Sequence, residues 1–396
     1  MQRISLTIVS QFYSGFEESV ASNKWMNNGS PAFYNFIKEI DLKEDIEYQL
    51  FLLSTKYNNT SQNKFLGFSN LRAKSHLVAY FPFLRKFSKV NFIINKTFQY
   101  IFLLSKIEDE NSIIYTDRDN IFLCFLVLFF SRRYVVLRLL GVTKELYAHT
   151  LPRKKLYSFI VRSVLKNNRC LIVSSNDGSY AEKVGSLINN QRYKLLFNGI
   201  DNIDKPIKYI NNKTVKTFKL IYISRFVTGK GQKEFIDFLK NFQFKEKLQV
   251  FFIGDGPTKE LCEEKVTKNN LDNTCYFLGK RPHHNVIKEL KESDLLVSIN
   301  FHGSYGNSVL EASVIGIPII TLAFDPIFQK NIDELPNLKN RADINKEMNE
   351  FMISFISNEN FRERCRNMSI DFAKKNLMEW ASRIDFEIDL IKKFVR

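Results

Sequence analysis

The fold is decided by residues 218–241, FKLIYISRFVTGKGQKEFIDFLKN. Apolar and β-branched residues in 218–224 predict a strand, and apolar residues at helical spacing in 232–241 predict a helix. A short polar segment with two glycines and two basic residues joins them. Because a strand followed closely by a helix is the repeating unit of a parallel sheet, this stretch predicts an α/β domain.

The same alternation continues to residue 323. Further strands are predicted at 248–253, 275–278, 294–299 and 318–323, and further helices at 258–269, 285–291 and 308–314. Strands and helices in strict alternation imply parallel βαβ units and a doubly wound sheet.

The first half of the chain shows this pattern less regularly, with strands predicted at 4–9, 112–115, 134–137, 170–173 and 194–197. At 396 residues the chain is long for one domain, and the polar segment 202–217 is typical of a linker. We therefore predict two Rossmann-like domains, residues 1–205 and 206–396. The second ends in a helical tail with Trp380 and an apolar repeat.

The composition excludes several classes of protein. Apolar residues make up 44% of the chain, which is typical of a globular protein. The sequence opens without a recognisable leader, and its longest apolar stretch, 121–130, is about half of what a membrane-spanning helix needs. Five isolated cysteines form neither a zinc motif nor an even disulfide set. We expect a cytoplasmic protein in a reducing compartment.

The net charge of +16 is concentrated in the first half of the chain. Residues 48–107 contain nine basic residues and no acidic one. Aromatic residues are interleaved with them: Phe65, Phe68, Tyr80, Phe81, Phe83, Phe87, Phe92 and Phe98. Such a segment suits an anionic lipid surface, single-stranded RNA, or an ordinary solvated face above core phenylalanines. We expect an anionic membrane surface as a partner in preference to nucleic acid.

Ligands of doubly wound sheets bind at the loops that follow the strands. In the loop 224–231, Arg225 offers a planar fork to a diphosphate and Lys230 offers a point charge. Gly229 and Gly231 let the backbone approach a ligand closely. Taken alone, this loop is also compatible with a plain turn.

A second strand exit leads into the helix predicted at 308–314. Its residues are Gly303, Ser304, Tyr305 and Gly306. The amides of Asn307, Ser308 and Val309 at the start of the helix favour an anion. Glu311 lies about one turn further on. Because a carboxylate repels phosphate, we expect Glu311 to accept hydrogen bonds from sugar hydroxyls such as those of a ribose.

Two further strand exits are GDGP, which begins at Gly254, and the run Gly279, Lys280, Arg281 and Pro282. Both are compatible with the wall of a nucleobase pocket and with plain turns.

These segments, in this order, resemble the family 4 retaining glycosyltransferases, a group with the GT-B fold of two Rossmann-like domains and a cleft between them. The resemblance covers roughly residues 194–335 and rests on an ordered set of short motifs. They are FNGID (197–201), the 225–231 loop, GDGP (254–257), FLG (277–279), GNSVLEA (306–312) and GIP (316–318).

The resemblance implies roles for these residues. Arg225 and Lys230 would hold the diphosphate of a nucleotide-sugar donor, the helix amides would bind it from the other side, and Glu311 would bond the ribose. Gly29 and Ser30 would occupy the place of the family's glycine-rich donor loop. The resemblance further implies retention at the anomeric carbon, no cofactor, and stabilisation of the leaving group without a metal.

Two positions depart from the family pattern. The family usually has a second glutamate eight positions before the one that matches Glu311, where this chain has Gly303. One sugar contact is therefore expected to be lost or moved. Many relatives have a histidine where this chain has Leu140, and neither His149 nor His302 matches that pattern.

Other functions stay open. Asp117 and Asp119 resemble the Asp-x-Asp motif of metal-dependent glycosyltransferases, but that motif belongs to a single-sheet fold, so we expect no metal. The absence of Gly-x-Gly-x-x-Gly after the first strand of either half argues against a dehydrogenase. The main alternative is a catalytically inactive nucleotide- or RNA-binding protein.

The expected function is therefore a retaining glycosyltransferase with a lipid-linked glycan acceptor. We expect it to act in the assembly of a surface polysaccharide, such as O-antigen or capsule, at the inner face of the membrane. In this scheme the first domain binds the acceptor and the second binds the donor.

Overall fold

The computed structural model describes residues 3–12, 16–26, 31–55, 63–80, 88–142, 144–151, 155–176, 180–188, 191–201, 217–301, 305–322, 334–338 and 343–396. The chain divides into two compact units. The first contains the described residues up to Gly199 together with Glu379–Arg396, and the second contains Ile200–Met378.

Within the described residues, the first unit is built on an eight-stranded sheet. Its strands are β1 (Ile4–Gln11), β2 (Ile46–Leu53), β3 (Lys64–Leu66), β4 (Lys74–Val78), β5 (Ile113–Asp117), β6 (Val135–Leu139), β7 (Cys170–Ser175) and β8 (Tyr193–Leu196). They lie in the order β3-β4-β2-β1-β5-β6-β7-β8, and every pair is parallel except β3 with β4. This is the doubly wound arrangement that the sequence predicted.

The helices of this unit cover both faces of its sheet. Within the described residues before Gly199 they are α1 (Phe16–Ser22), α2 (Pro31–Asp41), α3 (Ser88–Lys106), α4 (Ile121–Phe130), α5 (Lys144–Thr150), α6 (Leu156–Lys166) and α7 (Ala181–Gly185). Along β1, Leu6 and Ile8 pack in one apolar cluster with Phe36 of α2. Val9 faces the other way and packs with Leu103 of α3. Because side chains alternate along a strand, one strand supplies both cores.

The second unit is a six-stranded parallel sheet within the described residues. Its strands are β9 (Phe218–Ile223), β10 (Leu248–Ile253), β11 (Cys275–Gly279), β12 (Leu295–Ser298), β13 (Ile319–Leu322) and β14 (Asn337–Leu338), in the order β11-β10-β9-β12-β13-β14. The helices among its described residues are α8 (Gln232–Asn241), α9 (Lys259–Lys268), α10 (His283–Lys291), α11 (Asn307–Ile315), α12 (Ile344–Ser357) and α13 (Glu359–Asn376). The predicted strands and helices of this half are confirmed to within two residues at each end.

The last helix, α14 (Trp380–Phe394), belongs to the first unit, whereas the sequence assigned the whole tail to the second domain. Its apolar repeat explains the difference, because Trp380, Ile384 and Ile388 are buried in the same cluster as Phe36 of α2. The backbone at Gly199 passes so close to the Trp380 ring that a Cβ there would lie 2.6 Å from it, which favours glycine at this position.

The apolar stretch of α4 packs into the core of the first unit through Leu123, Cys124 and Val127. Among the described residues, no helix combines the length and the apolar character that crossing a bilayer requires. All five cysteines are buried and unbridged.

Candidate functional site

The loops that follow β9, β10, β11 and β12 lie along one edge of the second sheet, because these strands are parallel. β9 has β10 on one side and β12 on the other, so the strand order reverses at this point. Doubly wound folds bind their ligands at such a reversal of strand order. The β9 loop and the β12 exit lie at this reversal.

The β9 loop is held tightly against the exit of β12. Gly231 has φ +78°, and a Cβ there would lie 2.2 Å from the carbonyl oxygen of Ile299. The Tyr222 hydroxyl lies 2.5 Å from the Lys230 carbonyl oxygen and 3.0 Å from that of Ile299, and it accepts a hydrogen bond from the Ile299 amide. A buried tyrosine therefore fixes the backbone of Lys230, a contact that the strand pattern did not reveal.

Arg225 lies at the start of this loop with an exposed side chain. Its backbone is fixed, because the Gln232 side-chain amide donates to the Arg225 carbonyl oxygen at 3.0 Å. Within the described part of the chain, the structure gives the Arg225 guanidinium no hydrogen bond or ion pair. A fixed backbone and a guanidinium without a described hydrogen-bond or ion-pair partner suit the recognition of an anion.

The exits of β9, β10 and β11 are joined edge to edge by backbone hydrogen bonds. The Gly254 amide donates to the Gly279 carbonyl oxygen at 3.0 Å, and the Phe226 amide donates to that of Asp255 at 2.9 Å. Gly254 has φ +139°, and a Cβ there would lie 2.0 Å from the Ser224 carbonyl oxygen. Lys280 and Arg281 are exposed just beyond the β11 exit. The two loops predicted as a base-pocket wall thus lie beside the β9 loop.

Helix α11 begins at the exit of β12, with Gly306 as its extended N-cap and without a side-chain cap among the described residues. The Val309 amide donates to the Gly306 carbonyl oxygen at 3.0 Å, so it already has a partner, unlike what the sequence suggested. Asn307 and Ser308 form the first turn, and Ser308 is buried. Tyr305 packs its ring 6.2 Å from that of Phe372.

Glu311 lies one turn into α11 and contacts a residue that the sequence did not single out. The Nε2 atom of His283, the first residue of α10, lies 2.9 Å from Oε1 of Glu311. The Nδ1 atom of the same ring lies 3.5 Å from a carboxylate oxygen of Asp201. The hydrogen bond to Glu311 outweighs partial burial and raises the pKa of His283 above its ordinary value.

Several predicted positions lie outside the described residues: Gly29, Ser30, His302, Gly303 and Ser304. Of the positions that depart from the family pattern, Leu140 packs against the core of the first unit. The Nδ1 atom of His149 lies 2.9 Å from the Ser158 hydroxyl, and its ring lies edge-on to Tyr157. His149 is thus held within its own helical layer.

The Asp-x-Asp motif lies where β5 ends at Asp117 and a short 3₁₀ helix, Arg118–Asn120, begins. Asp117 accepts hydrogen bonds from the Asp119 amide at 3.1 Å, from the Asn120 side chain at 3.3 Å and from the Ser10 hydroxyl at 3.3 Å. Asp119 lies 3.5 Å from the Arg118 guanidinium. Asp117 therefore acts as an N-cap in this fold. Among the described residues, the structure brings together no set of three metal-ligating side chains.

Most of the second unit is similar to a known protein family. Residues 204–371 match the family Glycosyl transferases group 1. The matched segment contains the β9 loop, the neighbouring exits and α11, together with Arg225, Lys230 and Glu311.

Two curated proteins that are similar to parts of the chain are named as glycosyltransferases. A protein of Methanocaldococcus jannaschii named as an uncharacterized glycosyltransferase is 25% identical over 201 residues, which are 48% of this chain and 50% of that protein. A 2-deoxystreptamine N-acetyl-D-glucosaminyltransferase of Niallia circulans is 31% identical over 103 residues, which are 26% of each chain. The matched segments thus span about half and about a quarter of these relatives.

Solved structures extend the comparison to nearly the whole chain. Anabaena Alr3699/HepE, in complex with UDP and glucose, has a TM-score of 0.66 at 14% identity and covers 98% of this chain and 100% of that one. The sucrose-phosphate synthase from Thermosynechococcus elongatus has a TM-score of 0.71 at 12% identity and covers 98% and 99%. At these identities the similarity shows the fold, and the predicted GT-B class with two Rossmann-like domains is confirmed.

Proposed function

We propose that the protein is a glycosyltransferase that uses a nucleotide-sugar donor, and that its second unit binds this donor. The observation that carries the proposal is the grouping of complementary features at the strand reversal of the second sheet. An uncommitted arginine, a helix N-terminus and a carboxylate one turn into that helix occur there, inside the segment that matches Glycosyl transferases group 1. The Anabaena protein with UDP and glucose supports a nucleotide sugar as the donor class.

Each residue has a distinct role in the proposed mechanism. Arg225 and Lys230 bind the donor diphosphate and stabilise the charge that develops as the bond from the sugar to the diphosphate breaks. The first turn of α11 faces the same diphosphate with its amides and its dipole. Glu311 accepts hydrogen bonds from the ribose hydroxyls. Protein cations and amides thus perform the stabilisation, with no metal step.

We further propose that transfer retains the configuration at the anomeric carbon, as the resemblance to family 4 implies. The acceptor hydroxyl then attacks from the face that the diphosphate leaves, and its proton passes to the departing diphosphate oxygen. The glycan acceptor binds to the first unit, and its lipid-linked form places the reaction at an anionic membrane in surface polysaccharide assembly.

An exposed apolar surface of the first unit supports the membrane proposal. Helices α3, α4 and α6 cover one face of the sheet, and rings of α3 and α6 lie close to rings of α4. We call their exposed phenylalanine, leucine and isoleucine residues the outer apolar surface: Phe92, Ile93, Phe98, Ile101, Phe129, Phe130, Leu156 and Phe159. Exposed Arg132 and Lys155 flank α4 and α6. Rings that enter an interface beside cations that meet headgroups match an anionic bilayer.

The basic residues of 48–107 are not all available to lipid. The Arg72 guanidinium donates to the carbonyl oxygens of Asp41 and Lys43 at the end of α2, at 2.6 and 2.9 Å. Lys74 pairs with Glu108, and Lys96 is only 3% exposed. Part of the basic excess is therefore structural, and the membrane proposal rests on the outer apolar surface.

A thermal-shift screen against UDP, GDP, ADP and CMP tests the donor site. We expect one nucleotide to stabilise the protein by about 2.7 kcal/mol at one hundred times its Kd, because it binds only the folded state. Glu311→Ala should abolish most of this shift, whereas Glu260→Ala, a change at an exposed glutamate of the same unit, should preserve it. No shift with any nucleotide would reject the donor proposal and favour the inactive or RNA-binding alternative.

Sedimentation with vesicles tests the outer apolar surface. We expect the protein to bind vesicles that contain phosphatidylglycerol and to remain in solution with phosphatidylcholine alone. The double substitution Phe98→Ser with Phe130→Ser should weaken binding about tenfold or more, because it removes two exposed rings. Leu42→Ser, at a residue that is 73% exposed elsewhere on this unit, is the matched control. Equal binding to both kinds of vesicle would contradict the proposal.

A further inference from the structure

His283 is a titrating residue that contacts Glu311, the carboxylate proposed to bind the donor ribose. One ring nitrogen lies 2.9 Å from Oε1 of Glu311, and the other lies 3.5 Å from Asp201. Glu311 is largely buried, whereas His283 and Asp201 are about half exposed. The imidazole therefore lies between two carboxylates, of which Glu311 is the more buried.

The contact with His283 occupies only one of the two carboxylate oxygens of Glu311. Oε1 has the imidazole as its partner, and the described residues supply no hydrogen bond to Oε2. A carboxylate that binds a ribose needs a fixed rotamer and a free oxygen. His283 supplies the first and leaves the second available.

The charge of the ring also matters to the donor. With a protonated His283, the group of Glu311, Asp201 and His283 has one net negative charge, and with a neutral His283 it has two. Glu311 is four residues, roughly 6 Å, along α11 from Asn307. A diphosphate at the first turn of α11 is therefore within range of this change in charge.

We propose that His283 is a positioning residue of the donor site, which orients Glu311 and, as an imidazolium, offsets the two carboxylates so that donor binding is coupled to a proton. This inference rests on the proposed donor function of the second unit. His283 holds Glu311 in the orientation that meets the ribose, and its positive charge favours the anionic diphosphate. Donor affinity thus falls when the ring loses its proton.

The direction of the pH dependence follows from the groups around the ring. Glu311 and Asp201 both stabilise the imidazolium, and the hydrogen bond to Glu311 is the largest cause of the raised pKa. The ring is therefore charged below its folded pKa and neutral above it, and the donor Kd should rise as pH increases through that value. The other ionisable groups near the start of α10 are exposed: Lys280, Arg281 and His284.

Calorimetric titration with UDP-glucose between pH 5.5 and 9 tests this coupling, or with the glucose nucleotide of another base if the thermal-shift screen selects one. The diphosphate diester of such a donor does not titrate in this range. We expect the wild-type Kd to rise about threefold to tenfold across the transition, as one partly screened charge implies. His283→Gln keeps a hydrogen-bond donor without a titrating charge, so its Kd should vary little with pH and should lie near the wild-type value at high pH.

Two further variants sharpen the test. His284→Gln changes the exposed neighbouring histidine and should reproduce the wild-type profile. Asp201→Asn removes one of the two carboxylates that stabilise the imidazolium, so the transition should move to lower pH. If wild type and His283→Gln bind the donor with the same pH profile, the inference about His283 is wrong and the donor site stands. If the wild type binds no nucleotide at any pH, the proposed function itself is wrong, and the inference falls with it.

Discussion

Arg225→Ala is expected to lower kcat/KM for the nucleotide sugar about 100- to 1,000-fold, through both a lower kcat and a higher KM, because Arg225 meets the diphosphate in the bound donor and in the transition state. Removal of one preorganised donor that meets developing negative charge costs about 2.7–4 kcal/mol of transition-state stabilisation. The guanidinium has no described partner inside the protein, so the substitution removes a ligand contact without removing a structural one. Steady-state kinetics with the donor selected in the thermal-shift screen measures the effect.

Two variants separate this loss from a general effect of charge. Arg225→Lys keeps the charge but loses the planar fork, so its kcat/KM should lie between those of the wild type and the alanine variant. Arg364→Ala removes an exposed arginine on α13 of the same unit and should leave kcat/KM within about twofold of wild type. A wild-type kcat/KM in Arg225→Ala would remove this residue from the mechanism.

The elements of the second unit were predictable because its sheet is parallel and covered by helices. A strand that is covered on both faces has a largely apolar sequence, as FKLIYI and LQVFFI show with one polar residue each, and a loop separates it from its helix. For the same reason the strand exits were predictable as neighbours on one edge of the sheet, and Arg225 and Lys230 lie in one of these exits.

The segment 48–107 was less predictable, because α3 reverses the usual pattern. Its buried face contains the polar residues Asn91, Asn95, Lys96 and Gln99, and part of its outer face is apolar. The Gln99 side-chain amide donates to the carbonyl oxygens of Ser54 and Ala79, which follow β2 and β4, at 2.9 and 3.1 Å. Because hydrophobic periodicity indicates burial only when polar residues face water, this helix and its neighbouring strands gave no clear signal.

Contacts between distant segments also could not be predicted from the sequence. His283 and Glu311 are 28 positions apart and meet because α10 and α11 pack together. The only local signal was that His283 follows the basic turn at Lys280 and Arg281. Likewise, the apolar repeat of α14 predicted a helix with one buried face but did not indicate which unit would bury it.

Glu387→Gln is expected to destabilise the first unit by about 3–5 kcal/mol, the usual cost of removing one member of a buried ion pair. Glu387, on α14, is completely buried. It accepts hydrogen bonds from Arg138 at 2.7 Å, from Arg383 at 2.6 Å and from the Tyr115 hydroxyl at 2.8 Å. The amide leaves two buried guanidiniums without a counter-charge. Urea denaturation at pH 7 measures the loss.

The matched control lies on the same helix. Asp385 is about half exposed and pairs with Lys43, so Asp385→Asn should cost about 1 kcal/mol or less. An equal cost for the two variants would show that the buried network contributes no more than an exposed pair.

Acid denaturation provides a second measurement of the network. Burial alone would raise the pKa of Glu387, but attraction to Arg138 and Arg383 and the hydrogen bond from Tyr115 outweigh burial and lower it. A carboxylate with a lowered folded pKa stabilises the protein fully above its unfolded value of about 4.3, and this stabilisation is lost as pH falls through the folded value. The wild type should therefore lose stability steeply below about pH 4. Glu387→Gln should lack this component, so the difference in unfolding free energy between the two proteins should narrow as the solution is acidified.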